Sequence, residues 1–91
     1  MVAVSMGHEG ALLATQDGTV RLPALPVTAV STVGAGDCFV AGMVFALASG
    51  KPAAEAFRYG IAAGAAAVMT PGSDLAHPED IERLLPHVGA I

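Results

Sequence analysis

The alternation of apolar and polar positions divides the chain into an extended half and a helical half. Val2 to Met6 is a short β-forming run, interrupted by the turn chemistry of Gly7-His8-Glu9-Gly10. Ala11 to Thr15 is a second apolar run and Thr19 to Leu22 a third. Between them Gln16-Asp17-Gly18 reads as a hairpin turn, because Asp-Gly suits positive φ. Pro23 and Pro26 then remove two backbone donors and end regular pairing. Val27 to Val30 is a last extended piece leading into Ser31-Thr32-Val33-Gly34-Ala35-Gly36-Asp37.

Beyond Gly36 the period lengthens. Phe39, Val40, Met43, Val44 and Leu47 recur as i, i+1, i+4, i+5 and i+8, which predicts one apolar stripe on a helix. Gly50 is placed to stop that helix, and Pro52 suits the first turn of the next. The second helix is expected from about Ala53 to Met69. Apart from Glu55 and Arg58 it is nearly all small or apolar, and a helix apolar all round is a buried one. Its small side chains admit a neighbouring backbone or a flat ligand at close range. Thr70-Pro71-Gly72-Ser73-Asp74 reads as a loop. Pro78-Glu79-Asp80 opens a third helix with acids at its positive end, His77 is placed to cap it, and Pro86 closes it. Short strands followed by three helices make an α/β architecture.

Length and composition narrow the function. At 91 residues the chain is one small domain or part of a larger one. Apolar types make up 54%, but aromatics only 4%, and Trp is absent. Charged residues reach 13%, against about 25% in an average soluble protein. That deficit implies surface normally covered by further chain or by a partner. The net charge is −4, and Arg21, Lys51, Arg58 and Arg83 are scattered. Neither nucleic acid nor an anionic membrane is therefore an expected partner. The single Cys38 excludes an internal disulfide and a CxxC site, and it fits reducing cytosol. The start, Met1-Val2-Ala3-Val4-Ser5, lacks the basic and long apolar stretches of a signal peptide. The longest apolar run, Ile61 to Met69, falls short of the ~20 residues that span a bilayer. A cytoplasmic location is expected.

The strongest chemical feature is Gly34-Ala35-Gly36-Asp37 at the junction of extended chain and helix. Glycine and alanine leave backbone N–H groups uncovered, and a helix N-terminus gathers unpaired donors and partial positive charge. That arrangement suits negative charge developing on a phosphoryl group. Asp37, in the same first turn, is placed to take a proton from an alcohol lying in front of it. Anion hole and base on one turn fit phosphoryl transfer. A plain alternative makes Gly34 and Gly36 a tight turn and Asp37 a cap. The motif is neither a dinucleotide fingerprint, whose third glycine would fall at Phe39, nor a Walker A loop.

Ser31 to Asp37, continued by Cys38-Phe39-Val40-Ala41-Gly42, closely resembles the C-terminal signature of the PfkB, or ribokinase-like, carbohydrate kinases. Ser5-Met6-Gly7-His8-Glu9-Gly10-Ala11 resembles that family's nucleotide loop. Gly60-Ile61-Ala62-Ala63-Gly64-Ala65 and Pro71-Gly72-Ser73-Asp74-Leu75 resemble further family segments in the right order. Together they cover essentially the whole chain.

The resemblance implies the C-terminal portion of a three-layer α/β/α fold, with strands and nucleotide loop over 1–33 and the anion-hole helix and its successors over 34–91. It implies ATP-dependent phosphorylation of a sugar hydroxyl. Asp37 would be the base facing the substrate, and the backbone N–H groups of Gly34, Ala35 and Gly36 the anion hole. Ser5, Gly7 and Gly10 would line the ATP phosphates and ribose, and Ile61, Gly64 and Ala65 the adenine. Mg²⁺ would accompany ATP. A monovalent cation, K⁺, would sit among oxygens of Ser31, Val33, Ala67, Thr70 and Gly72. Many members carry Asp where this chain has Ser31. Members acting on fructose or tagatose phosphates often carry Ser, so a sugar phosphate is the expected acceptor. A fragment of this kind lacks the family's sugar-binding strands and dimer-forming lid, so little activity is expected of it alone, and a homodimer is expected of the complete kinase. A kinase of an unphosphorylated sugar or nucleoside, or a non-catalytic ATP-binding or interface piece, stands as the alternative.

The remaining polar residues carry less. His8 reads as an exposed loop residue or a phosphate contact, and His87 as solvated. Cys38, Met43 and Met69 fit packing, and Glu79, Asp80 and Glu82 a solvated helix face.

Overall fold

The structure is a computed structural model of the 91-residue chain. It describes residues 1–26, 35–69 and 77–89. The expected extended piece Val27–Val30, the Ser31–Gly34 half of the glycine motif and the Thr70–Leu75 segments lie outside the described residues, as does the His8 side chain.

Three strands, β1 (Val2–Ser5), β2 (Ala11–Thr15) and β3 (Gly18–Leu22), form an antiparallel sheet in the order β1-β2-β3. Pairing Ala3 with Leu13 and Leu13 with Val20, and Ser5 with Ala11 and Ala11 with Leu22, sets these six residues on one face. Ala11, Leu13 and Leu22 on that face are buried in the core, with Ala3 and Val20 packed against it. The opposite face carries Val2, Val4 and Arg21, which are exposed.

The β2–β3 hairpin differs from its expectation in detail. Thr15 pairs with Gly18, so Gln16 and Asp17 are the loop. Neither has positive φ; only Gly18 does, at 131°. The loop is instead tied by the Asp17 N–H donating to Thr15 Oγ1 at 3.2 Å, which supplies local closure without a left-handed residue.

Residues 6–10 leave β1 and return through a short 3-10 turn, Gly7–Glu9. The Met6 N–H donates to the Gly10 carbonyl at 2.8 Å, and the Gly10 N–H to Gly7 at 3.1 Å. Gly10 has φ 96°, and a Cβ there would collide with the Leu22 carbonyl oxygen and lie 2.9 Å from Pro23 Cα. Glycine is thus required where the turn crosses the end of β3. Arg21 donates from Nη2 to the Glu9 carbonyl at 3.1 Å and fastens the turn from the other side.

Helices α1 (Ala35–Ala48) and α2 (Ala53–Val68) follow. Helix α1 ends in a Schellman motif: Gly50, at φ 89°, donates to Leu47 and Lys51 donates to Ala46, both at 3.0 Å. Pro52 stands at the N-cap of α2, one position before the expected first turn, and its carbonyl accepts the Ala56 N–H at 2.9 Å.

The expected stripe on α1 is only half right. Phe39 and Met43 are buried, together with Cys38, Gly42 and Ala46. Val40 and Val44, at 57% and 59% exposure, and Leu47 face outward. The reason is steric. The face carrying Gly42 turns toward α2, where Gly42 and Gly60 permit a close approach with Phe39 and Met43 packed beside them. A Cβ on Gly42 would lie 2.8 Å from the Ala63 Cβ, and one on Gly60 would lie 2.9 Å from the Phe39 carbonyl oxygen and 2.6 Å from Met43 Cγ. Around this contact Phe39 meets Phe57 edge-on, with centroids 6.1 Å apart. Phe57 is fully buried, a burial worth about 1.5–3 kcal/mol.

Helix α3 (Pro78–Leu84) and a 3-10 turn, Leu85–His87, pack on α2. His77 occupies the N-cap as expected, but with no side-chain capping bond; its carbonyl accepts from Asp80 and Ile81. Asp80 is not merely solvated, since it pairs with Arg83 at 2.6 Å. Arg58 of α2 gathers the C-terminal turn, donating to the carbonyls of Leu85, Val88 and Gly89 at 3.4, 3.2 and 3.1 Å. Among the described residues no helix is long and apolar enough to cross a membrane.

Two measurements test this packing. Gly60→Ala gains helix propensity of about 1 kcal/mol but must displace the Phe39 main chain, an overpacking cost of about 1–3 kcal/mol. The expected result is a lower thermal midpoint by circular dichroism; a higher midpoint would contradict so close a helix contact. Tyr59, tilted against Phe45 with centroids 5.6 Å apart, has its phenol raised above the ordinary 10.0, first by burial and then by the charge of Glu82. The folded chain therefore keeps the phenolic proton to higher pH than the unfolded chain. Its stabilising effect is complete below pH 10 and is lost as pH rises through the raised value. Tyr59 is the single tyrosine and Trp is absent, so tyrosinate absorbance reports it alone. A midpoint above 10 is expected, moved partway down by Glu82→Gln because burial remains.

Candidate functional site

Three separated segments converge on one open cavity of about 410 Å³, within the ~300–1,000 Å³ range of small-molecule sites. Ser5, Gly7 and Gly10 line it from the end of β1 and the turn that follows. Ala35 and Gly36 line it from the tip of α1, and Ile61, Gly64 and Ala65 from one face of α2. Each of these was singled out in the sequence, and the fold brings them together. Gly34 lies outside the described residues.

The convergence has a local cause at every wall. Ser5 reaches the cavity because it shares a sheet face with Ala11 and Leu22, whereas Val4 points the other way. Ser5 Oγ lies 3.9 Å from the point where Gly36 would carry a Cβ, so the strand end and helix tip face each other with open space between. Gly64 allows α2 to pass the tip of α1, since a Cβ there would lie 3.3 Å from the Ala35 carbonyl oxygen. The bare faces of Gly10 and Gly64 are thus taken up by the chain itself. That of Gly36 is exposed.

The described part of helix α1 begins at Ala35, and Ala35 and Gly36 lie at that end of it. Asp37 follows in that turn and is exposed. Among the described residues its carboxylate makes no hydrogen bond or ion pair. A helix end and an exposed carboxylate thus stand side by side, residue chemistry that suits a phosphoryl group and a proton.

The proposed cation ligands Ser31, Val33, Thr70 and Gly72 lie outside the described residues. Ala67 is buried at 1% exposure, and its carbonyl accepts the Met69 N–H. Among the described residues no group of three His, Cys, Asp or Glu side chains is placed to hold a metal.

Sequence reasoning missed part of the lining. Ala11, Ala24, Leu25, Phe39 and Val68 also face the cavity. The proline pair enclosing Ala24 and Leu25 was read only as the end of pairing, though it marks a fixed segment. Phe39 was read as core, and it serves as both core and cavity floor.

The chain matches the pattern of the pfkB family carbohydrate kinases over residues 1–80. It is 46% identical over 83 residues to the ATP-dependent 6-phosphofructokinase isozyme 2 of Mycobacterium tuberculosis, spanning 91% of this chain and 24% of that relative. The crystal structure of phosphofructokinase-2 from Escherichia coli in complex with potassium superposes with a TM-score of 0.87 and 35% identity, over 93% of this chain and 28% of that one. Ribokinase from Thermotoga maritima gives 0.84 and 35%, over 92% and 29%. The chain therefore spans about a quarter of the length of the relatives it matches. The ordered motifs, the helix-tip cavity and these similarities agree that the chain belongs to the pfkB family of carbohydrate kinases.

Proposed function

We propose that the chain forms the base-bearing and nucleotide-binding C-terminal part of a kinase that moves the γ-phosphoryl group of ATP to a hydroxyl of a sugar phosphate. The observation that carries the reading is the convergence of the β1 turn, the α1 tip and α2 on one cavity, with the exposed Asp37 beside its anion-binding end.

On this reading the adenine lies along Ile61, Gly64 and Ala65, and the phosphates run past Ser5, Gly7 and Gly10 to the α1 tip. Asp37 takes the proton of the acceptor hydroxyl. The sugar oxygen forms a bond to the γ-phosphorus as the bond from that phosphorus to the bridging oxygen of ADP breaks. First-turn amides of Ala35 and Gly36, with Gly34, stabilise the charge on the transferring oxygens. ADP leaves, and Asp37 returns its proton to solvent. Mg²⁺ bound with the nucleotide would neutralise charge on its phosphate oxygens. The remaining three quarters of the family length contribute the sugar site and the homodimer contacts. Ser31 and the 6-phosphofructokinase similarity favour a fructose or tagatose phosphate, and the ribokinase similarity makes ribose the necessary comparison.

The test is a chimera in which this chain replaces the matching quarter of the Escherichia coli phosphofructokinase. With ATP it is expected to phosphorylate the host enzyme's own fructose phosphate, the sugar site being the host's and the base and nucleotide site this chain's. Asp37→Ala in that chimera is expected to lower turnover by roughly 10²–10⁴-fold while ATP binding persists. Unchanged turnover would remove Asp37 from the base role. ATP binding without transfer to any acceptor would favour a non-catalytic nucleotide module.

A further inference from the structure

Resting on the nucleotide reading of the cavity, we infer that Arg58 is a positioning residue for the nucleotide: it holds the C-terminal turn as a wedge between α2 and the sheet, and the wedge sets how far apart two walls of the cavity stand. Arg58 lies one turn before Ile61 and two turns before Ala65 on one face of α2, so the arginine and the cavity wall share a side of the helix. Its donors are committed. Nη1 faces Glu55 Oε2 at 3.3 Å, Nε donates to the Gly89 carbonyl, and Nη2 donates to those of Leu85 and Val88. Carbonyls at a helical end lack partners within the helix, and this guanidinium, on a side chain only 20% exposed, collects three of them.

The turn so held reaches the sheet. Val88 is 4% exposed and belongs to the buried cluster that joins Phe57, Ile61 and Ala62 of α2 to Leu13 and Leu22 of the sheet. A Cβ on Gly89 would lie 3.2 Å from Leu22 Cδ2, so the main chain after the turn abuts the end of β3. Leu22 also carries the carbonyl against which Gly10 is pressed, and Gly10 and Ala11 are cavity wall. Continuous contact therefore runs from Arg58 through Val88 and Gly89 to Leu22, and so to the wall that faces Ile61 and Ala65. A close-packed interior passes such displacements on, because it has little void to absorb them. Once the three carbonyls lose their donor, the turn is released, and α2 and the sheet settle at a separation that no longer grips the ligand from both sides.

The experiment measures the binding of ribose-labelled fluorescent ATP to the 91-residue chain and to its Arg58→Met and Arg58→Lys variants, at a temperature where circular dichroism shows each to be fully folded. Methionine keeps the apolar stem and loses every donor, whereas lysine keeps three donors for the same carbonyls. The expected dissociation constant is weaker by at least about 5-fold in Arg58→Met, the lower end of coupling between separate sites, and closer to the unsubstituted value in Arg58→Lys. Unchanged affinity in folded Arg58→Met overturns the inference and leaves the nucleotide reading standing. An equal loss in the lysine variant also overturns it, by detaching the effect from the carbonyl contacts. If Arg58→Met does not fold, Val88→Ala, which thins the wedge and leaves Arg58 in place, is held to the same threshold of about 5-fold, and unchanged affinity there overturns the inference. If labelled ATP does not bind the unsubstituted chain, the nucleotide reading itself is lost, and the inference with it.

Discussion

The contact between the backbones of α1 and α2 governs the molecule. Gly42 against Ala63, Gly60 against the Phe39 main chain and Gly64 against the Ala35 carbonyl bring the helix backbones close, with Met43 packed beside them. Dispersion at such range is weak per atom pair and large in sum. Its consequence for the cavity is geometric: the third of these contacts lies at the Ala35 end of α1, where the absent side chain of Gly64 eases the approach of the α2 wall.

The sheet contributes the opposite wall through a different device. Strand alternation turns Ser5 inward, and the glycine crossing at position 10 presses the return turn onto the end of β3. Arg21 holds that turn from the solvent side. The cavity therefore joins a hydrogen-bonded strand end to a helix pair, and the core that connects them runs from Leu13 and Leu22 to Phe39 and Phe57.

Much of this was legible in the sequence, for identifiable reasons. The strands were marked by their bounding Gly and Pro residues, and α2 by an apolar content with no polar face. The cavity-lining positions Ser5, Gly36 and Gly64 were legible because their motifs come in order at characteristic spacing. The orientation of α1 was not. Periodicity ranks positions by hydrophobicity and groups Val40, Val44 and Leu47 with Phe39 and Met43, whereas the buried face joins Phe39 and Met43 to Cys38, Gly42 and Ala46. A hydrophobic pattern carries no record of how near the neighbouring helix lies. The hairpin lies where expected, but its loop is Gln16-Asp17 with Gly18 already paired in β3, and Thr15 Oγ1 closes it in a way that spacing does not reveal.

The glycine and alanine positions of this contact have no rotamers to lose. Ordering them costs essentially no side-chain conformational entropy, so that part of the helix pair gives up little freedom when it forms. The same poverty concentrates any slack elsewhere. Gly42, Ala63 and Gly60 have nothing to turn, so a shift of α1 against α2 falls on the one flexible side chain seated against Gly60, that of Met43.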